Sequence, residues 1–178
     1  YIACQIETSC QHIFSLFFLT GAGNHLRVCC IGGGPGSDII GLLTFLRSID
    51  RCARLTCHVF DKFPAWENVW KHIQPRLPPP SVNTTYSSLD MTSSSSLDRG
   101  TLEILGQADI VTFVKSVSTV AAFLDTPTGA AAMPQYPFAP VPSRRGAIPT
   151  ILRVLKKGAL VVFIDTRNGT HNNIFREM

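Results

Sequence analysis

The 178-residue sequence predicts an α/β domain with a mainly parallel β-sheet and helices on both faces. Strand-like and helix-like segments alternate along the chain, and most of the strand-like segments are largely apolar. Such runs are typical of strands that are buried on both faces. Glycines or acidic residues follow several of these runs. Right-handed crossovers place a ligand at the carboxyl ends of such strands, where the strand order reverses.

Three strands and two helices are predicted in the first half of the chain. Apolar residues at helical spacing fill the first helix, and an apolar run that ends in glycines precedes it. Ser37 is expected to cap this helix, and Asp38 suits its electropositive first turn. The predicted bounds are Leu26–Ile31, Ser37–Arg51, Leu55–Phe60, Pro64–Ile73 and Val82–Leu89.

The second half of the chain adds two strands and two helices. Lysines in the last turn and a glycine after them mark the end of the second of these helices. A loop rich in proline separates the fourth strand from that helix, and an Asn-Gly turn follows the fifth strand. The predicted bounds are Leu97–Leu105, Ala108–Val114, Ala147–Lys157 and Ala159–Ile164 for the elements, 126–146 for the loop and 168–169 for the turn.

The length fits one domain over residues 1–178, and the start at Tyr1 leaves open that it is part of a larger protein. Residues 1–25 are expected to form a helical segment around the apolar stretch Ile13–Leu19. That stretch is too short to span a membrane, and no basic segment precedes it as in a signal peptide, so a buried helix is favoured over a signal-peptide core and no membrane association is expected. A content of 45% hydrophobic and 16% charged residues excludes a disordered, highly charged chain.

Six cysteines occur without a C-x-x-C pair, so no metal site is expected. Most of them lie in apolar runs, where a reduced thiol behaves as a small hydrophobe. This usage predicts an intracellular protein, either cytoplasmic or nuclear. The net charge of +4 permits an anionic partner such as RNA but does not require one.

Four glycines crowd the turn between the first strand and the first helix, at Gly32, Gly33, Gly34 and Gly36. Glycine allows positive φ and lets a ligand approach the backbone closely, whereas a merely tight turn needs fewer glycines. The dinucleotide fingerprint G-x-G-x-x-G fails because Ser37 and Ile39 occupy the positions of its third glycine. A pyrophosphate is therefore not the obvious ligand, and a cofactor with a zwitterionic amino-acid tail fits equally well.

Acidic residues follow the second and third predicted strands. Asp61, with Lys62 after it, ends the second strand, where a carboxylate can accept both hydroxyls of a ribose. Asp90 follows the third strand and could accept an adenine amine, with Met91 covering the ring. The alternatives are a solvated loop residue for Asp61 and an ordinary capping residue for Asp90.

In order and spacing, these segments resemble the class I S-adenosylmethionine-dependent methyltransferases from about Leu26 to Asp165. The resemblance implies a Rossmann-like fold, S-adenosylmethionine as cofactor and transfer of its methyl group. It also implies that the end of the fourth strand faces that methyl group. By the same resemblance, the cofactor-binding residues are Gly32, Gly33, Gly34, Gly36, Asp61, Lys62, Asp90 and Met91.

The chain departs from the family's pattern in two places. The family often has an acidic residue two positions before the first glycine of the loop, where this chain has Cys30. Its sheet usually has seven strands, and the last of these are not predicted here. A sheet that lacks them exposes an edge, which suggests a partner or an additional domain that covers it.

The methyl acceptor is not identified by the sequence. Lys115 and Ser116 follow the fourth strand and are the candidate catalytic residues, although a lysine that simply enters solvent is the plainer interpretation. The mild basicity slightly favours RNA over a small molecule or a protein.

Trp66 and Trp70 are expected in the core, with a base-stacking platform as the alternative. A non-catalytic cofactor-binding or interaction domain and an NAD-dependent oxidoreductase are the competing functions.

Overall fold

The computed structural model describes residues 25–49, 54–77, 82–93, 96–117, 120 and 146–164. Its centre is a five-stranded sheet in which every pair of neighbouring strands is parallel. The strands are β1 (His25–Ile31), β2 (Arg54–Asp61), β3 (Val82–Ser88), β4 (Ile110–Val114) and β5 (Leu160–Ile164). Their order across the sheet is β3-β2-β1-β4-β5, so the order reverses between β1 and β4. This confirms the predicted fold class.

Helices cover both faces of the sheet. They are α1 (Ser37–Ser48), α2 (Trp66–Ile73), α3 (Arg99–Gly106) and α4 (Ile148–Val154), with a short 3₁₀ helix at Gln74–Arg76. Buried side chains of α1 and α2 pack with β1 and β2 in one cluster, and those of α3 and α4 join a second cluster on the other face. The apolar runs of β1, β2 and β4 lie between these two layers, as expected for strands buried on both faces.

Helix boundaries differ from the predictions where local capping decides them. Ser37 was expected as the cap of α1, but Gly36 holds that position with a φ of 91° and Ser37 is the first helical residue. Helix α3 begins at Arg99 because the carboxylate of Asp98 accepts a hydrogen bond of 2.7 Å from the Thr101 N–H. Helix α4 ends at Val154, before its predicted lysines, because Leu155 is already extended.

Several predicted segments lie outside the described residues. These are the N-terminal helical segment apart from His25, the proline-rich loop apart from Gly146, and the turn at 168–169. His25 belongs to β1, and Gly146 precedes Ala147, the N-cap residue of α4. Among the described residues, no helix is both long and apolar enough to cross a membrane.

At the amino end of the sheet, a single acidic residue connects three strands. Asp109, which directly precedes β4, accepts a 2.8 Å hydrogen bond from the Arg27 N–H and forms an ion pair with Lys156. Its own N–H donates to Arg27, and its carbonyl accepts from the Leu160 N–H. One residue therefore fixes the relative positions of β1, β4 and β5.

The edge strand β5 is only partly covered. Val161 and Phe163 are 40% and 39% exposed, although their sheet neighbours Val111 and Phe113 are buried. Because Val161 and Phe163 are two residues apart in a strand, they form an exposed apolar patch on one face of β5.

Candidate functional site

The glycine loop lies at the carboxyl edge of the sheet, where the strand order reverses between β1 and β4. Gly32, Gly34 and Gly36 all have positive φ, at 67°, 49° and 91°. At Gly36 the absence of a side chain is also a packing requirement, because a Cβ there would lie 2.5 Å from the Trp70 ring. The loop therefore adopts a shape that these glycines permit.

The N–H groups of this loop are largely bonded within the chain itself. Those of Gly32 and Gly36 donate to the carbonyls of Phe60 and Gly33, at 2.7 and 3.0 Å. That of Gly34 donates to Asp61 Oδ2 at 2.9 Å. A loop that binds phosphate presents free N–H groups to the anion, and these three donors are not free.

Asp61 joins the end of β2 to the glycine loop. In addition to the Gly34 N–H, its carboxylate accepts the Phe63 N–H at 2.9 Å through Oδ1. Each carboxylate oxygen has a second lone pair, so the group can still accept hydrogen bonds from the hydroxyls of a ribose. The predicted ribose-binding acid therefore lies beside the loop.

Lys62 and Asp90 form an ion pair across the ends of β2 and β3, with 2.9 Å between Nζ and Oδ2. Thr92 donates to the other oxygen of Asp90 from its N–H and its hydroxyl, at 3.0 and 2.6 Å. Desolvation opposes ionisation of Asp90, but the bonds from Thr92 and Lys62 outweigh it and lower its pKa. Both predicted residues thus lie at the expected edge, and they contact each other.

Met91 and Ser116 both lie close to Gly32. A Cβ on Gly32 would lie 3.3 Å from the terminal methyl of Met91 and 2.7 Å from the Cβ of Ser116. Ser116 is 6% exposed, and its hydroxyl has no hydrogen-bond partner among the residues that the structure describes. A buried hydroxyl without a hydrogen-bond partner lowers the stability of the folded chain, and this one lies next to the glycine loop.

Lys115 has an unusual backbone at the end of β4. Its φ is 53°, and it is the one described non-glycine residue with positive φ. Its N–H donates to the Ile164 carbonyl at 2.7 Å, which holds the ends of β4 and β5 together. Backbone strain of this kind is concentrated at functional sites.

A buried carboxyl lies beneath the loop, at Asp38 in the first turn of α1. It is 2% exposed, and the Thr112 hydroxyl on β4 donates to its Oδ2 at 2.6 Å. Burial raises its pKa to about 6, although the bonds from Thr112 and Ser37 act in the opposite direction. The sequence indicated only a favourable charge in the first turn of the helix, because Thr112 is distant in the chain.

The two tryptophans differ in environment. Trp70 is buried against Gly36, as predicted for a core residue. Trp66 is 37% exposed, and its indole nitrogen would lie 4.0 Å from a Cβ on Gly34. Trp66 therefore lies at the surface beside the glycine loop, and the prediction that it belongs to the core is wrong.

Three buried thiols lie in β1 and β2, at Cys29, Cys30 and Cys57, and all three are free. Burial raises the pKa of each of them, for Cys29 to about 12, so they are neutral and unreactive near pH 7. The described parts of the chain contain no group of three histidine, cysteine or acidic side chains that could hold a metal ion.

No protein-family model matches the chain, and the search of curated proteins finds no match.

Proposed function

We propose that this chain is an S-adenosylmethionine-dependent methyltransferase domain that binds its cofactor at the carboxyl edge of the sheet. The observation that carries the proposal is the electrostatic character of the glycine loop. The N–H groups of Gly32, Gly34 and Gly36 are bonded within the chain, and the carboxyl groups of Asp38 and Asp61 lie in the first turn of α1 and beside the loop. Such a loop favours a nucleoside ligand with cationic groups and no phosphate.

The positions of most of the predicted cofactor residues support a specific contact with S-adenosylmethionine. Asp61 would accept the ribose hydroxyls, and Gly32 and Gly34 would let the amino-acid tail approach the backbone. Asp90, held by Lys62, lies at the end of β3 where the adenine would bind, with Met91 beside Gly32. When bound, S-adenosylmethionine supplies an electrophilic methyl group on its sulfonium.

The end of β4 is the proposed place of the methyl acceptor. Methyl transfer depends mainly on holding the acceptor in line with the sulfonium, so a positioned polar group can be sufficient. Ser116, with its unpartnered hydroxyl, and the backbone of Lys115 are placed to orient an acceptor there. The net charge of +4 slightly favours RNA as that acceptor.

The three free buried cysteines support an intracellular location, cytoplasmic or nuclear.

A second candidate function is a cofactor-binding or interaction domain without turnover. Two observations favour it: the exposed apolar side chains of Val161 and Phe163 on the edge strand, and Cys30 at a position that is often acidic in the resembled family. An NAD-dependent oxidoreductase is disfavoured, because the N–H groups of Gly32, Gly34 and Gly36, which a pyrophosphate would need as donors, are bonded within the chain.

Thermal unfolding with three ligands in parallel tests the cofactor. At 100 times the dissociation constant, S-adenosylmethionine and S-adenosylhomocysteine should each stabilise the chain by about 2.7 kcal/mol and raise Tm by about 5–10 °C. Asp61→Ala should remove most of this shift, whereas Glu103→Ala, which alters an exposed ion pair on α3, should leave it unchanged. A shift with NAD alone, or with none of the ligands, would overturn the proposal.

Transfer of a labelled methyl group separates the two candidate functions. Radiolabelled S-adenosylmethionine is incubated with the chain and with RNA, protein and metabolite pools. Incorporation into one pool that is lost with Ser116→Ala supports the methyltransferase. Saturable binding without incorporation into any pool supports the binding domain.

A further inference from the structure

The central strands β1 and β2 carry exposed basic side chains at their amino ends. His25 and Arg27 on β1 and Arg54 on β2 are all exposed. They lie on one face of the sheet, because side chains alternate along a strand and the adjacent Leu26 and Leu55 belong to the core cluster on the other face. Central strands of a parallel sheet are normally apolar on both faces, so these three residues depart from the pattern of the fold.

The apolar core does not extend over this part of the sheet face. The buried cluster that α3 and α4 join includes no residue of β1 before Cys29 and no residue of β2 before Phe60. A polar surface therefore continues across three strands, because Arg27 is in register with Thr56 on β2, and Thr56 with Asn83 on β3. Asn83 is exposed and Thr56 is half-buried.

The register of β1 and β2 brings the basic side chains together. His25 is the strand partner of Arg54, and its Nε2 lies 2.8 Å from the Thr56 hydroxyl. With a rise of about 3.3 Å per residue and about 4.8 Å between strands, the Cα atoms of Arg27 and Arg54 are about 8 Å apart. Two guanidinium groups on long side chains can therefore contact neighbouring phosphates of one nucleic-acid strand.

The positive charge of this surface is not neutralised within the described parts of the chain. There, neither Arg27 nor Arg54 forms an ion pair. Asp109 accepts a hydrogen bond from the Arg27 N–H, but its charge is balanced by the ion pair with Lys156. Helix C-termini favour cations, but both arginines lie in strands, so the helix dipole does not explain their presence.

The composition of this surface favours a nucleic-acid backbone over an acidic protein. Phosphates are bound by arginine together with hydroxyl and amide side chains, and these are the groups present here. Protein interfaces have an apolar centre, which this surface lacks. The large apolar side chains that are exposed in the described chain all lie elsewhere, at Phe63, Trp66, Val69, Val161 and Phe163. Without an exposed aromatic side chain for base stacking, the surface contacts the backbone and does not read the base sequence.

We propose that the amino ends of β1 and β2 form a surface that binds the phosphate backbone of RNA through Arg27 and Arg54. Thr56 and Asn83 would add hydrogen bonds to phosphate or ribose oxygens. The surface lies at the opposite end of the sheet from the glycine loop. It therefore goes beyond the proposed methyl-transfer site and does not depend on a bound cofactor.

Fluorescence anisotropy with labelled oligouridylate and oligoadenylate tests this surface. The wild-type chain should bind both with similar dissociation constants, on the order of 10⁻⁵ M at about 0.15 M salt. Arg27→Gln combined with Arg54→Gln should weaken binding about tenfold and reduce the slope of log K against log salt by about 1.4, since each lost phosphate contact removes about 0.7. The backbone bonds between Arg27 and Asp109 are kept, so this variant should fold with an unchanged Tm.

Arg76→Gln combined with Arg99→Gln is the charge-matched control. Both residues are exposed; Arg76 follows α2 on the other face of the sheet, and Arg99 begins α3. This variant loses the same amount of charge but should weaken RNA binding by less than about twofold, because it leaves the surface intact. An equal loss of affinity in the two double variants would show that net charge alone attracts RNA, and would overturn the proposal.

Two further outcomes would overturn the proposal. One is the absence of RNA binding by the wild-type chain even at low salt. The other is displacement of RNA by polyglutamate at an equal concentration of charges, which would indicate an acidic protein as the partner. The thermal shift with S-adenosylmethionine is independent of all these results: the variant at Arg27 and Arg54 should keep it, and its absence in the wild-type chain would overturn the proposed function alone.

Discussion

The amino and carboxyl ends of the parallel sheet are built in different ways. At the amino end, Asp109 bonds to the backbone of Arg27 and to Lys156, and its backbone groups are paired as well. At the carboxyl end, Lys115 has a strained backbone and the Ser116 hydroxyl is buried without a described partner. The first arrangement contributes stability, and the second lowers stability where a ligand is proposed to bind.

The largest expected effect is at the carboxyl end, for Gly36→Ala. The new Cβ would meet the Trp70 ring at 2.5 Å on a backbone with a φ of 91°. Backbone strain and overpacking together should lower the free energy of unfolding by about 3 kcal/mol. Urea unfolding measures this change as a lower midpoint with an unchanged slope.

Gly158→Ala is the matched control for that change. Gly158 has a φ of 87°, but no atom lies within 4 Å of its Cβ position, so only the strain remains. The expected loss is about 1 kcal/mol. Equal losses in the two variants would show that contact with Trp70 does not constrain the glycine loop.

An intermediate effect is expected at the amino end, for Asp109→Ala. The substitution removes the acceptor for the Arg27 N–H and the partner of Lys156, and it should cost about 1–2 kcal/mol of stability. Ligand affinity should stay the same, because the site is at the opposite end. Asp109→Asn keeps an acceptor oxygen and should cost less; weaker ligand binding in either folded variant would contradict the separation of the two ends.

The smallest effect on stability is expected for Ser116→Ala. Because it removes a buried hydroxyl without a described partner, unfolding should require the same free energy or up to about 1 kcal/mol more. Methyl transfer should nevertheless fall. Ser48→Ala provides the comparison, because its hydroxyl donates to the Phe45 carbonyl at 2.7 Å and its loss should be destabilising. A clear loss of stability in Ser116→Ala would indicate a structural role instead.

The strands were predictable because their apolar runs are local properties of the sequence. Predicted strand ends agree with those of all five described strands to within about two residues, the ordinary uncertainty of such bounds. Helix ends were harder, because single residues such as Asp98 and Leu155 decide them.

The site was predictable only as a set of positions. The glycines and Asp61 were recognisable because they follow strands, and the structure brings Gly34 and Asp61 into contact. The contact between Asp38 and Thr112 was not, because it joins residues 74 positions apart that meet only in the folded sheet. The pairing of Lys62 with Asp90 depends in the same way on the register of β2 and β3.

The strand order also affects the kinetics of folding. Strand β1 is central, yet one of its neighbours, β4, comes much later in the chain: the contact between Arg27 and Asp109 spans 82 residues. Contacts of this sequence separation slow folding, because a long loop must close before they contribute any free energy. During synthesis, β1 can pair with β2, but the other edge of β1 stays unpaired until β4 has been made. A nascent chain at that stage presents an unpaired strand, the kind of edge on which chains aggregate and which chaperones protect.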